Sequence, residues 1–88
     1  MKKKIPLNKL VQTHPGPQEE KILRFIKLLK SKGINYLPPI YCEYSKLDDL
    51  YYVFDGTHTS LAKQQMGRKY IKGEVTIVDS IDKTQLLF

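Results

Sequence analysis

The chain has a single cysteine, Cys42. That excludes an intramolecular disulfide and a structural zinc site built on thiolates. Set in the apolar segment Ile40-Tyr41-Cys42, it reads as a buried small hydrophobe rather than a reactive thiol. A chain without disulfides is expected in a reducing, cytoplasmic compartment. No apolar run approaches the ~20 residues of a membrane span. The basic opening Met1-Lys2-Lys3-Lys4 has no apolar stretch behind it, so no secretion signal is read. Internal repeats are absent, and Lys2-Lys3-Lys4 is the sole low-complexity stretch. Acidic residues are the minority, 9 against 15 Lys and Arg, which leaves a net charge of +6. Such an excess favours polyanionic partners: nucleic acid, nucleotides or phosphorylated substrates. A lysine-rich surface also serves solubility alone.

What is present suffices for one domain, residues 1–88. A chain of this length buries only roughly 60–65% of its unfolded surface, so its stability margin is thin; dimerisation or docking onto a partner would help, and the sequence suits a monomer or a homodimer. Lys4-Ile5-Pro6-Leu7 reads as an edge strand, because Pro6 cannot donate to a ladder. Leu7, Leu10 and Val11 cover one end of the core. His14-Pro15-Gly16-Pro17 is a turn cluster that opens a helix, with Pro17 at its first position and Glu19 and Glu20 in its first turn. Ile22, Phe25, Ile26 and Leu29 form its apolar stripe, Lys21, Arg24, Lys27 and Lys30 lie opposite, and Gly33 stops it. Two strands follow at 40–44 and 51–54, joined as a hairpin across the polar stretch 45–50. Leu61, Ala62 and Met66 mark a short helix ended by Gly67. A last strand runs over 71–78, with Val75 and Ile77 on one face. The tail 79–88, with Ile81, Leu86, Leu87 and Phe88, suits either closing the core or meeting a partner. The pattern predicts a compact α+β domain with a small mixed sheet and two main helices.

The chemistry concentrates at Asp55-Gly56-Thr57-His58-Thr59-Ser60, where a strand becomes a helix. Backbone N–H groups in a first helical turn lack internal partners, and the helix dipole adds positive charge there, so the junction is suited to phosphate. Gly56 permits a sharp turn and close approach of a ligand. The hydroxyls of Thr57, Thr59 and Ser60 can donate to phosphate oxygens. His58 can donate or carry a proton. Asp55 suits three roles: accepting a proton, orienting His58, or holding a magnesium ion. Each residue also suits a plain structural duty, Thr57 or Thr59 as a helix cap and Asp55 in turn hydrogen bonds.

Tyr52-Val53-Phe54-Asp55-Gly56-Thr57-His58, followed by Leu61-Ala62 and Gly67, resembles the signature segment of the ParB/sulfiredoxin superfamily. That segment is a strand, then Asp-Gly-x-His-Arg or a variant, a short helix containing alanine, a glycine and a last strand. Ile5-Pro6-Leu7 with Leu10 resembles the family's opening strand, and Gly33 followed by Pro39-Ile40 its Pro-Ile strand. The resemblance spans residues 4–78. It implies a fold that binds nucleotide phosphates at this helix start, as in CTP-hydrolysing ParB proteins, ATP-dependent sulfiredoxins, a free-serine kinase and ParB-like nucleases. By resemblance, Gly56, Thr57 and His58 form the phosphate turn. Glu19 or Glu20 stands where the kinase-like members carry an acidic residue, as a base or a metal-holding group.

Two departures shape the expectation. Thr59 replaces the family's arginine and removes a charge-assisted phosphate contact, for which Lys63 or Arg68 is the candidate replacement. Thr57 occupies the sulfiredoxin cysteine position, so covalent sulfur chemistry is not expected. The 88 residues hold no counterpart of the ParB helix-turn-helix or of the serine kinase's extra domain. Three functions follow. The first is an ATP-, ADP- or CTP-binding protein that hydrolyses or transfers phosphate with Mg. The second is a ParB-like nuclease or non-specific DNA binder, with Tyr36, Tyr44 and Tyr70 as stacking surfaces. The third is a non-catalytic interaction module that kept the scaffold.

Overall fold

The computed structural model describes residues 1–13, 16–33 and 39–82. Its first strand, β1 (Lys2–Pro6), passes through one 3-10 turn, Leu7–Lys9, into a second, β2 (Leu10–Gln12). β2 corrects the sequence reading, which assigned Leu10 and Val11 to core cover. Three half-buried residues show no alternation, and their partner strand lies beyond the whole first helix. That helix, α1 (Glu19–Lys32), also begins later than expected: Pro17 precedes it and Gln18 is its N-cap. Gly33 ends it as the sequence indicates. β3 (Ile40–Ser45) and β4 (Leu50–Asp55) form the expected hairpin, followed by α2 (Thr57–Gln65) and β5 (Tyr70–Val78).

The strands make one mixed sheet in the order β1-β5-β3-β4-β2. β1–β5 and β3–β4 are antiparallel; β3–β5 and β2–β4 are parallel. A parallel neighbour cannot be reached by a tight turn, so β4 and α2 together carry the chain across to β5. This is the expected α+β arrangement.

Two apolar clusters hold it together. The sheet buries Ile5, Leu7, Ile40, Cys42, Tyr51, Val53, Ile71 and Val75. The helices bury Ile22, Leu29 and Ala62, with Phe25, Ile26, Leu61 and Met66 packed around them. The predicted α1 stripe is therefore the face that meets α2. Cys42 is fully buried, and desolvation pushes its thiol up to about 11, with nearby Lys3 opposing in part. It stays protonated at neutral pH and is no nucleophile. Ile77 shares the register face of Val75 but lies past the core, opposite Tyr44, and is exposed.

Tyr44 is not a free stacking surface. Its ring lies 4.7 Å from that of Tyr51, and its hydroxyl donates to Asp49. Tyr70 is exposed as expected. Tyr36, His14, Pro15 and the tail residues Leu86, Leu87 and Phe88 lie outside the described residues. Among the described residues, no helix is long and apolar enough to cross a membrane.

Candidate functional site

β4 delivers Asp55 to the end of the sheet, and Gly56 then adopts φ 99°, a left-handed conformation that lets the chain reverse directly into α2. The first intrahelical bond there is donated by the Ser60 amide to the Gly56 carbonyl, 2.9 Å away. The amides of Thr57, His58 and Thr59 precede it, and among the described residues no side chain caps them. Thr57 is 8% exposed, and its hydroxyl has no hydrogen-bond partner among the described residues. A buried hydroxyl left without a bond costs about 1–3 kcal/mol. The turn therefore holds three uncapped amides and an unsatisfied hydroxyl beside the positive end of a helix dipole.

These groups border a pocket of about 230 Å³ lined by Asp55, Gly56, Thr57 and His58 on one side and Gly16 and Pro17 on the other, with Phe54. The strand–helix junction and the segment leading into α1 thus face each other. His58 joins them: its Nε2 accepts a hydrogen bond from the Gln18 amide at 3.0 Å, and its ring stands edge-on to Phe25. An Nε2 that accepts from an amide is unprotonated, which leaves Nδ1–H as the free donor. Burial, and then the Lys21 ammonium, hold the His58 imidazole below its ordinary 6.5. The unfolded chain therefore takes up a proton at higher pH than the folded protein does. The contribution of His58 to stability is full above pH 6.5 and declines as pH falls below it towards the lowered folded-state value. Denaturant titrations across this window should show that decline in the wild type and a flatter profile in His58→Gln.

The sequence candidates do not all converge. Asp55, Gly56, Thr57 and His58 line the pocket. Thr59 and Ser60 are buried behind it, 6% and 1% exposed. The Ser60 hydroxyl donates to the Thr57 carbonyl and accepts from Gln12 Nε2, so it braces the turn from within. Glu19 and Glu20 are exposed in the first turn of α1, just past the Pro17 wall, and are not lining residues. Lys63 and Arg68, the candidate substitutes for the missing arginine, line a different groove. Among the described residues, no three His, Cys, Asp or Glu side chains cluster to hold a metal ion, so Asp55 is a lone carboxylate there. Gln12 went unnoticed because β2 did; its Oε1 is also buried without a partner among the described residues. Gln18 had no local signal at all, since it meets His58 only through the tertiary fold.

No family model and no curated protein matches the sequence. Solved structures do. A mutant free serine kinase in complex with AMP superposes with a TM-score of 0.77 at 20% identity, over 85% of this chain and 30% of that one. Sulfiredoxin from Arabidopsis thaliana matches with a TM-score of 0.66 at 23% identity, over 96% of this chain and 91% of its own. The C-terminally truncated ParB of Caulobacter crescentus, complexed with CTP-gamma-S, gives 0.67 at 22%, over 98% and 48%. The chain thus spans under half the length of the kinase and ParB structures and nearly all of sulfiredoxin. The five-stranded mixed sheet, the two helices and these superpositions together identify the fold as ParB/sulfiredoxin-like.

Proposed function

We propose that the protein binds a nucleotide, with the phosphates seated on the turn Gly56-Thr57-His58. The observation that carries this is the run of first-turn amides, uncapped among the described residues, in a pocket lined by Gly56, Thr57 and His58, with the unpartnered Thr57 hydroxyl buried beneath them. Phosphate oxygens would satisfy the amides directly, and a small turn of the Thr57 side chain would bring its hydroxyl to them. The complexes of similar structures with AMP and CTP-gamma-S support the same reading. Ligand sites that enclose a whole small molecule run to about 300–1,000 Å³. A pocket of about 230 Å³ takes the phosphates and leaves sugar and base across its rim.

ATP, ADP and CTP all present the group this site would hold. Hydrolysis or transfer of phosphate is the chemistry the arrangement suits, because positioning and charge stabilisation supply most of such catalysis. Amides of the first turn and the Nδ1–H of His58 would bind the phosphoryl oxygens. Asp55, exposed at the pocket, would accept the nucleophile's proton or hold magnesium. One carboxylate fits a Mg²⁺ ion, which commonly takes one or two together with phosphate oxygens and water. Glu19 and Glu20, beyond the Pro17 wall, are the alternative bases.

The test is Thr57→Val, which keeps the side chain's shape and removes the hydroxyl. The apo variant should melt higher, by roughly 4–8 °C for about 1 kcal/mol gained. Its stabilisation by nucleotide with magnesium should shrink. Wild-type protein at a hundredfold excess over Kd should gain about 2.7 kcal/mol. No thermal shift in the wild type at millimolar ATP, ADP or CTP would remove the reading.

A further inference from the structure

A second concavity lies away from this pocket. It is a groove of about 820 Å³ running between β1, the start of β5 and the α2–β5 connection. Of the twelve described residues that line it, seven are Lys or Arg and none is acidic: the Lys2-Lys3-Lys4 run, Lys63, Arg68, Lys69 and Lys72. Lysines on an edge strand commonly serve to deter edge-to-edge pairing. Two details go beyond that duty. Lys4 and Lys72 stand directly opposite each other in the β1–β5 register, an arrangement that destabilises a sheet unless something neutralises it. Lys63 is 6% exposed, and among the described residues it has no carboxylate or hydrogen-bond partner. Lysine is almost never that buried unless paired. Burial, and then Arg68, hold its ammonium below the ordinary lysine range.

The groove also presents an aromatic surface. Tyr70 lines it, is 48% exposed, and carries the Lys4 ammonium over its ring at 4.8 Å. Cations flanking an exposed ring are the ingredients of single-strand recognition, in which phosphates follow the charge and a base stacks on the ring. A concave groove admits a flexible strand; duplex grooves instead receive protruding helices or ribbons. We propose that this groove binds single-stranded nucleic acid, with phosphates on Lys4, Lys72, Lys63 and Arg68 and a base on Tyr70. The assignment stands independently of nucleotide binding at Gly56.

The measurement is fluorescence anisotropy of a labelled oligothymidylate about 15 nucleotides long, repeated with its RNA equivalent, a duplex of equal length and inorganic polyphosphate as competitor. Affinity should fall steeply with salt, and each cation removed should lower the log–log slope by about 0.7. Lys4→Gln/Lys72→Gln, which relieves the cross-strand repulsion, should bind more weakly while melting no lower than wild type. Tyr70→Ala should lose about fivefold or more. Lys63→Met should weaken binding and raise the melting temperature. All of these variants should retain the thermal shift with nucleotide, so the failure of either site is read separately. Duplex binding as tight as single strand, polyphosphate competing equally per charge with Tyr70→Ala silent, or unchanged affinity in the Lys4/Lys72 variant would each overturn the proposal.

Discussion

Gly56→Ala is expected to lower the melting temperature by roughly 10–25 °C and to abolish stabilisation by nucleotide. Two costs add. The residue sits at φ 99°, where a Cβ carries a backbone penalty of about 1–2 kcal/mol. That Cβ would also meet Ile40 at 2.5 Å from Cγ2, 2.8 Å from Cβ and 3.1 Å from Cα. None of these atoms is the far end of a flexible side chain, so the strand itself must yield, at a further 1–3 kcal/mol or about that. Gly67→Ala separates the two terms. Its φ is 83°, but nothing lies within 4 Å of the added atom. It should therefore show the backbone penalty alone. Equal losses in the two variants, measured by thermal or urea unfolding, would mean that contact with Ile40 plays no part.

Ile40→Ala should cost about 2–5 kcal/mol, a large share of the stability of so small a domain. Ile40 is 1% exposed and belongs to the sheet core. It is also the residue on which two glycines close: a Cβ on Gly73 would approach its Cγ1 and carbonyl oxygen at 2.9 Å. The side chain thus fills space vacated by Gly56 and Gly73, and its loss leaves a cavity that neighbouring backbone cannot readily collapse into. The pair is coupled. In the double variant Gly56→Ala/Ile40→Ala the worst contact, to Cγ2, is gone, while the 2.8 Å contact to Cβ remains. The combined loss should fall short of the sum of the single losses by about 0.5–3 kcal/mol. Strict additivity would contradict this account of the turn.

The parts of the fold legible in the sequence were those written in local pattern. The α1 stripe, its glycine stop, the β3–β4 hairpin and the strand–turn–helix junction at Asp55-Gly56 each follow from spacing or backbone preference within a few residues. What escaped depends on partners far along the chain. β2 is three residues long and becomes a strand only because Leu10, Val11 and Gln12 meet Tyr51, Tyr52 and Val53. Lys63 follows Thr59 by one helical turn, so spacing alone set it near the phosphate turn. Packing of α2 against the rest of the fold places it in the basic groove instead. Thr59 and Ser60 looked like ligand donors because hydroxyls suit phosphate; burial and the Gln12–Ser60 bond direct Ser60 inward. For His58, the imidazole was legible as a candidate but its tie to Gln18 was not.

The strand order carries a consequence for synthesis. β5 lies between β1 and β3, so residues made early wait for residues made late before the sheet can close. At roughly 5–20 residues per second, a nascent chain spends seconds with β1 unpaired and one flank of β3 bare. Production of this protein should accordingly respond to chaperone supply.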